Sequence, residues 1–405
     1  MFYAFTLGNN KALSIAEILS VLKRDHFVFV IFSISTNSLI IKTDKEIENP
    51  QDLLNRLGGT IKIIHIFGES NSKNLPDLII NFVKENFKEQ KFIFGISFYN
   101  FYLPRLGFEI KKKLKETRIN SRLILGKQKE LSAPEIKNNK VLSHGADFAV
   151  IKTEKEILLG NTIAIQDYED YSHRDYDRPR RNAKSGMLPP KLAQIMINMI
   201  PSLENPSKTN IFDPFCGNGT VLQEALLNGY QVIGSDISNE RVFDTKENLK
   251  WLEEEYDLDL NLKDRIFALD ALELKQESLP IKPDIIVSEV YLGPPMHGNE
   301  SSREISTIVD SLNKKYRDFI TNTSLSLKNV KYLILAIPVF ISKNQRYYLN
   351  IIDEAKKVGY NVISPIEDSG VSFGSLPEYN KDRKTFTYYR QDQMVGREII
   401  ILKKK

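Results

Sequence analysis

Two apolar periodicities alternate along the chain. Residues 2–8 (FYAFTLG) and 27–35 (FVFVIFSIS) are dense in aromatic and β-branched residues and predict strands. Between them SIAEILSVLKR (14–24) spaces its apolar positions three to four apart, which predicts an amphipathic helix. A strand near IKIIHIFGE, a helix near LPDLIINFVKENF, a strand at FIFGISFYN and a basic helix at 108–118 follow. SRLILG comes next, and ADFAVIKTEKEILLGNTIAIQDY reads as a hairpin turning at Lys152–Lys155. Short strands and helices in this order predict one or two small α+β modules.

The segment EDYSHRDYDRPRRNAKSG (169–186) is polar with little apolar periodicity, the pattern of a linker. PPKLAQIMINMI (189–200) opens with prolines suited to a first helical turn. From residue 210 strand and helix patterns repeat: NIFDPF, QVIGSD, RIFALD, DIIVSEV and KYLILAIPV alternate with helical stretches. That alternation predicts an α/β fold with a doubly wound, mostly parallel sheet. The tail differs, because KTFTYYRQ (384–391) and GREIIILK (396–403) read as an antiparallel hairpin at a sheet edge. Five parallel strands finished by such a hairpin is unlike a simple nicotinamide-binding fold.

Composition narrows the class. A chain of 405 residues, 41% hydrophobic and 27% charged, has the profile of a globular protein with two or three domains. One Cys excludes an internal disulfide framework and a cysteine-based zinc site, and fits a reducing cytoplasm. The apolar runs FVFVIF and YLILAIPVF are too short for a membrane helix, and MFYAFTLGNN lacks a signal-peptide pattern. A cytoplasmic protein without a membrane partner is expected. The net charge of +4 is unevenly placed: residues 1–180 hold 27 Lys+Arg against 22 Asp+Glu, and residues 181–405 hold 29 against 30. Much of the excess lies in KKKLKETRINSRLILGKQK (111–129), where Lys111, Lys112, Lys113, Lys115, Arg118 and Arg122 face one acid, Glu116. The run suits a phosphate-contacting surface, and equally the solvated face of an ordinary helix.

Chemistry concentrates at predicted strand ends. DPFCGNGT (213–220) follows the first strand of the α/β region and opens a helix; Gly217 and Gly219 permit a sharp turn and close approach of a ligand. QVIGSD ends in Asp236, placed to accept hydrogen bonds from ribose hydroxyls, and ALDA carries Asp270, placed near an adenine amino group. Singly, each acid is also a good helix N-cap. The dinucleotide pattern G-x-G-x-x-G and the P-loop Gly-Lys-Ser/Thr are both absent. Cys216 reads as a small buried loop residue. The five His residues, including His173, form no ligand spacing, so no metal is expected.

These residues resemble the class I S-adenosylmethionine-dependent methyltransferases whose first motif is D-P-F-C-G-x-G-T. The resemblance implies that Asp213 and the loop residues Phe215, Gly217, Gly219 and Thr220 hold the methionine part of the cofactor. Asp236 then takes the ribose and Asp270 the adenine. In that class the fourth strand ends in [D/N/S]-P-P-[Y/F/W] when the target is an exocyclic amine. A side-chain oxygen and a backbone carbonyl accept the amine hydrogens, and the aromatic stacks on the flipped-out base. Here DIIVSEVYLGPP (284–295) puts Ser288, Glu289, Val290 and Tyr291 in that place. Ser288 and Tyr291 fit the pattern; Glu289 and Val290 stand where prolines would stiffen the turn. Glu289 can supply an acceptor of its own, and the alternative is a decayed site that binds cofactor without transferring methyl.

The likeness continues outside that region. Residues 2–22, 160–199 and VGREIIIL (395–402) resemble the THUMP-domain tRNA guanosine N2-methyltransferases acting at guanosine 10. The resemblance implies a ferredoxin-like module at 1–60, a THUMP RNA-binding domain at 61–167, a linker at 168–187 and the methyltransferase domain at 188–405. It implies tRNA as partner and places the basic run within THUMP. Arg174, Tyr176, Arg178, Arg180 and Arg181 become candidates for RNA or interdomain contacts, with a solvated basic loop as the alternative. The resemblance leaves room for a protein activator, though no residue indicates one. DNA adenine or cytosine remains a rival target.

Overall fold

The structure is a computed structural model and describes residues 1–35, 37–70, 74–87, 91–181, 187–201, 205–343, 345–369, 376–390 and 393–405. Part of the expected linker, 182–186, lies outside the described residues. The chain forms two compact units: residues 1–11 with 25–168, and residues 12–24 with 169–405.

The first unit is built on a single mixed sheet. Its strands are β1 (Phe2–Leu7), β2 (Phe29–Ile34), β3 (Ser38–Thr43), β4 (Thr60–Ser70), β5 (Lys91–Tyr99), β6 (Asn120–Leu123), β7 (Gly145–Lys152) and β8 (Ile157–Ile165). They lie in the order β2-β3-β1-β4-β8-β7-β5-β6, with β5 parallel to β6 and β7 and the other pairs antiparallel. The hairpin expected around Lys152–Lys155 is β7–β8. Helices α1 (Lys11–Arg24), α2 (Pro50–Asn55), α3 (Leu75–Asn86), α4 (Leu106–Glu116) and α5 (Ala133–Asn138) punctuate the strands, and residues 12–24 of α1 group with the second unit. In α4, Leu106, Ile110 and Leu114 recur every four residues and are buried, which turns Lys111, Lys112 and Lys115 outward. Inside the sheet Lys62 and Asp147 are fully buried and paired at 3.2 Å, and Ser97 and Thr162 donate to the same carboxylate at 2.8 and 2.7 Å. Those bonds satisfy the lone pairs that burial would otherwise strand.

The second unit carries the α/β sheet expected from the strand–helix alternation. Helices α6 (Tyr168–Tyr176) and α7 (Pro190–Asn198) precede β9 (Asn210–Asp213), α8 (Thr220–Leu227), β10 (Gln231–Asp236), α9 (Asn239–Glu255), β11 (Ile266–Ala268) and β12 (Ile285–Glu289). Then follow α10 (Ser302–Ser326), β13 (Tyr332–Ser342), β14 (Gln345–Tyr348), α11 (Ile351–Lys357), β15 (Tyr360–Ile363), β16 (Tyr379–Asn380), β17 (Thr385–Tyr388) and β18 (Val395–Lys404). Five strands run parallel in the order β11-β10-β9-β12-β13. β18 then pairs antiparallel with β13 on one side and with β15 and β17 on the other. The tail hairpin is therefore not wholly at an edge: its second strand is an inner strand, which explains its run of buried isoleucines. Phe212, Ile286, Leu333 and Leu335 of the sheet and Tyr316, Phe319 and Ile320 of α10 share one buried core. No helix among the described residues is long and apolar enough to cross a membrane.

Candidate active site

Parallel strands in adjacent positions end on one rim of the sheet, and ligands of open α/β sheets bind there. β9 delivers Asp213 to that rim, the loop 214–219 follows, and α8 starts at Thr220. Gly219 sits at the helix N-cap with φ +81°, and a Cβ there would lie 3.0 Å from the Thr245 Cγ2 atom. Both the left-handed backbone and the crowding favour glycine. The Asp213 carboxylate is buried, which pushes its pKa up to about 7, and the hydrogen bonds it accepts pull the other way. Those bonds come from the Ser288 hydroxyl at 2.6 Å and the Phe215 N–H at 3.1 Å. Phe215 packs its ring edge-on to Phe319 at 5.2 Å, so its side chain faces the core. Cys216 is buried, and burial raises its thiol pKa well above the ordinary value, as suits an inert loop residue.

Asp236 closes β10. Its Oδ2 accepts the Gly217 N–H at 3.1 Å and its Oδ1 the Ser238 N–H at 3.0 Å, which ties the glycine loop to the second strand. Asp270 follows β11, caps a short 3-10 turn and accepts the Leu272 N–H at 2.9 Å. A carboxylate offers about four lone-pair sites, so neither cap exhausts its acid.

Residues 168–181 of the expected linker pack into the fold. Its helix α6 buries Tyr171 and Arg174, and Arg174 pairs with Asp170 and with buried Glu224 of α8, each at 3.4 Å. Burial pushes Glu224 up to about 7, against the pull of Arg174. Arg178 is buried as well; it donates to Thr220 Oγ1 at 2.6 Å and to Gln223 at 3.4 Å. Asn248 of α9 donates to the carbonyls of Arg180 (2.9 Å) and Asn218 (2.8 Å) and accepts the Arg180 N–H (2.9 Å). Residues 174–180 thus clamp the glycine loop from outside. Arg174 and Arg178 are corrected accordingly: their guanidiniums serve internal partners and are not displayed for RNA. Arg180 is exposed, stacked 5.0 Å over Phe243.

At β12 the structure changes the reading of the fourth strand. Ser288 is fully buried within the strand, and its hydroxyl belongs to Asp213. Its side chain therefore sits beside Asp213, one residue inside the end of β12. Glu289 is the last strand residue. The guanidinium of Arg397 on β18 hydrogen-bonds its carboxylate, opposing the upward push of burial on its pKa. Tyr291 is 51% exposed, with Lys315 5.4 Å from its ring, and its carbonyl accepts the Tyr316 hydroxyl. Neither Arg397 nor Tyr316 stands out in the sequence as a site residue. A signal exists for the first: a lone Arg-Glu pair interrupts the apolar run of β18.

On the first unit, Lys111, Lys112, Lys115, Arg118 and Arg122 are exposed. Lys113 is paired with Asp77. Arg122 lies on β6, the edge strand, and donates to Asn139 at 3.3 Å. Among the described residues no cluster of three or more His, Cys, Asp or Glu is placed to hold a metal.

The rim fits a ligand such as S-adenosylmethionine, with hydroxyl and amino donors and a positive centre. Asp213, Asp236 and Glu289 end neighbouring strands, and Asp270 follows the end of β11. The glycine loop leaves open space over Gly217, where an added Cβ would approach only the Phe215 carbonyl, at 3.9 Å. Residues 12–247 match the family described as DNA methylase. The chain is 30% identical to the tRNA (guanine(10)-N2)-dimethyltransferase of Methanothermobacter thermautotrophicus over 157 residues, 38% of this chain and 40% of that one. It is 32% identical to the enzyme of the same name from Methanocaldococcus jannaschii over 174 residues, 42% and 46% of the two chains. The matches thus span less than half the length of these relatives. TrmN from Thermus thermophilus shares the fold over all of both chains, with a TM-score of 0.53 and 12% identity.

Proposed function

We propose that this chain, which belongs to the DNA methylase family, transfers a methyl group from S-adenosylmethionine to the exocyclic N2 amine of a guanosine in tRNA. The observation that carries the reading is one rim on which Asp270, Asp236, Asp213 and the Glu289–Tyr291 segment succeed one another along β11-β10-β9-β12. Asp236 would hold the ribose, Asp270 the adenine, and Asp213 with the glycine loop the methionine part. The cofactor supplies an electrophilic methyl on a sulfonium. The chain's own task is placement: Tyr291 would stack on the base, and Glu289 would accept a hydrogen bond from the amine, which directs the nitrogen lone pair at the methyl. As the N–C bond replaces the S–C bond, S-adenosylhomocysteine would leave and the surplus amine proton would pass to Glu289 or solvent. The names of the two relatives support guanosine 10 as the target.

The first unit supplies the RNA grip in this reading, with a ferredoxin-like module at 1–60, a THUMP domain at 61–167 and the exposed cations Lys111, Lys112, Lys115, Arg118 and Arg122 on the phosphates. A cytoplasmic location fits a tRNA substrate. The family description favours a second reading, amino methylation of DNA. Labelled S-adenosylmethionine incubated with undermodified tRNA and, separately, with duplex DNA separates the two. Label in tRNA guanosine supports the proposal, and label in DNA adenine or cytosine overturns it.

A further inference from the structure

Resting on that reading, we propose that Arg397 is a positioning residue: its guanidinium fixes the Glu289 carboxylate at the end of β12 in the pose that receives the target amine. The need for such a device follows from sequence. In [D/N/S]-P-P-[Y/F/W] two prolines stiffen the backbone after the first position; here Glu289 and Val290 occupy those places, so that restraint is missing. A Glu side chain also has more rotatable bonds than Asp, Asn or Ser, so an untethered one would have to give up more rotamer freedom each time it aligns.

The sheet register shows how the tether is made. Glu289 lies opposite Ala336 on β13, and Ala336 lies opposite Ile399 on β18. Directly paired residues share a face, and Arg397, two residues before Ile399, shares it too. Its side chain therefore reaches Glu289 diagonally across β13, over small Ala336 and Pro338. Glu398, one residue on, points to the other face and pairs there with Arg383 (2.6 Å) and Thr385 (2.6 Å). The adjacent opposite charges in VGREIIIL thus do not neutralise each other; each meets its own partner. The Arg397 side chain is 5% exposed and that of Glu289 17%, so the pair is held within the protein while the carboxylate keeps an opening. The rest of the turn is pinned by the Val290 N–H on the Ala336 carbonyl (3.1 Å) and the Tyr316 hydroxyl on the Tyr291 carbonyl. Charged neighbours of Glu289 are Arg397 from β18 and, from β9, Asp213, whose own pKa Glu289 helps to raise.

The test uses Arg397→Gln and Arg397→Lys in the full chain, each also combined with Glu289→Gln. Three quantities are read: titration of the Glu289 carboxyl by carbon NMR, assigned by its loss in Glu289→Gln; single-turnover methyl transfer to unmodified tRNA against pH; and S-adenosylhomocysteine affinity. Arg397→Gln is expected to raise the Glu289 titration, and the acid limb of the rate profile with it, by about one to three units. The rate at neutral pH should fall roughly tenfold or more, since misplacement by an ångström costs on that scale. Cofactor affinity should stay within about twofold, and Arg397→Lys should recover part of the rate. In the Glu289→Gln background, Arg397→Gln should have little further effect, because the two act as one unit. An unmoved Glu289 titration, or an equal rate loss with and without Glu289, would overturn the role of Arg397 in an active enzyme. A wild-type protein inactive on every tRNA would instead sink the transferase reading, and this role with it.

Discussion

Removing the Ser288 hydroxyl separates a supporting role for this residue from a direct one. Ser288 donates to Asp213 at 2.6 Å in a fully buried setting, and the Phe215 N–H donates to the same carboxylate. The Asp213 pKa is raised from 3.8 to about 7. Between those values the folded state binds more protons than the unfolded chain, so this group's contribution to stability falls as pH rises through that window. Ser288→Ala removes a bond that favours the ionised form and should push the pKa higher still. Below the window's upper end the lost bond is between neutral groups, worth about 0.5–1.5 kcal/mol; above it the acceptor is charged and the loss is about 1.5–3 kcal/mol. Chemical denaturation of both proteins at about pH 5 and about pH 9 should therefore show the larger destabilisation at the higher pH. Single-turnover rates under folded, cofactor-saturated conditions should fall no more than a few-fold. A pH-independent stability loss would refute the assignment of the bond. A rate loss of about a hundredfold with stability and cofactor affinity kept would make Ser288 the amine acceptor after all.

Other outcomes follow from the same geometry. Asp236→Ala should weaken cofactor binding, measured by calorimetry, because it loses the ribose acceptor and frees the Gly217 N–H it now holds at 3.1 Å; unchanged affinity would remove Asp236 from the site. Gly219→Val should cost about 1–3 kcal/mol in a thermal or denaturant melt, since φ is +81° and Thr245 stands 3.0 Å from an added Cβ. Arg178→Ala leaves Thr220 and Gln223 without their buried donor and should lower stability by about 2–4 kcal/mol while leaving the salt slope of RNA binding unchanged. Replacing Lys111, Lys112 and Lys115 together by Ser should weaken RNA binding and flatten its salt dependence by about two to three units of slope; an unaltered slope returns α4 to an ordinary solvated helix.

Much of this architecture is written in periodicity. The alternation from residue 210 onward carries the parallel sheet, and the acids at the ends of QVIGSD and ALDA land on its rim because strand ends are marked by the change from apolar to polar. β3 is legible in the sequence, because the polar stretch 35–37 (Ser-Thr-Asn) sets SLIIKT off from β2 as a turn would. Helix α6 is unreadable. Its buried face is made by Tyr171 and Arg174, and the charge of Arg174 is met by Glu224, about fifty residues away in sequence, so a charge-rich segment looks like a solvated linker. The same limit hides Arg397: its partner Glu289 lies two strands away, and only the register of β12, β13 and β18 brings them together. At the end of β12 the sequence offers both Ser288 and Glu289 as oxygen acceptors, and the strand buries the first and ends on the second. Pattern matching aligns letters, whereas the end of β12 decides which side chain reaches the rim.

Transfer of methyl to guanosine N2 is tested most directly by identifying the modified nucleoside. Undermodified tRNA is treated with the protein and S-adenosylmethionine, digested to nucleosides and resolved by mass spectrometry, with cofactor binding measured on the same preparation. The expected product is guanosine carrying methyl on N2, lost in Glu289→Gln while cofactor binding is kept. A preparation that binds the cofactor yet yields no N2-methylguanosine would contradict that assignment.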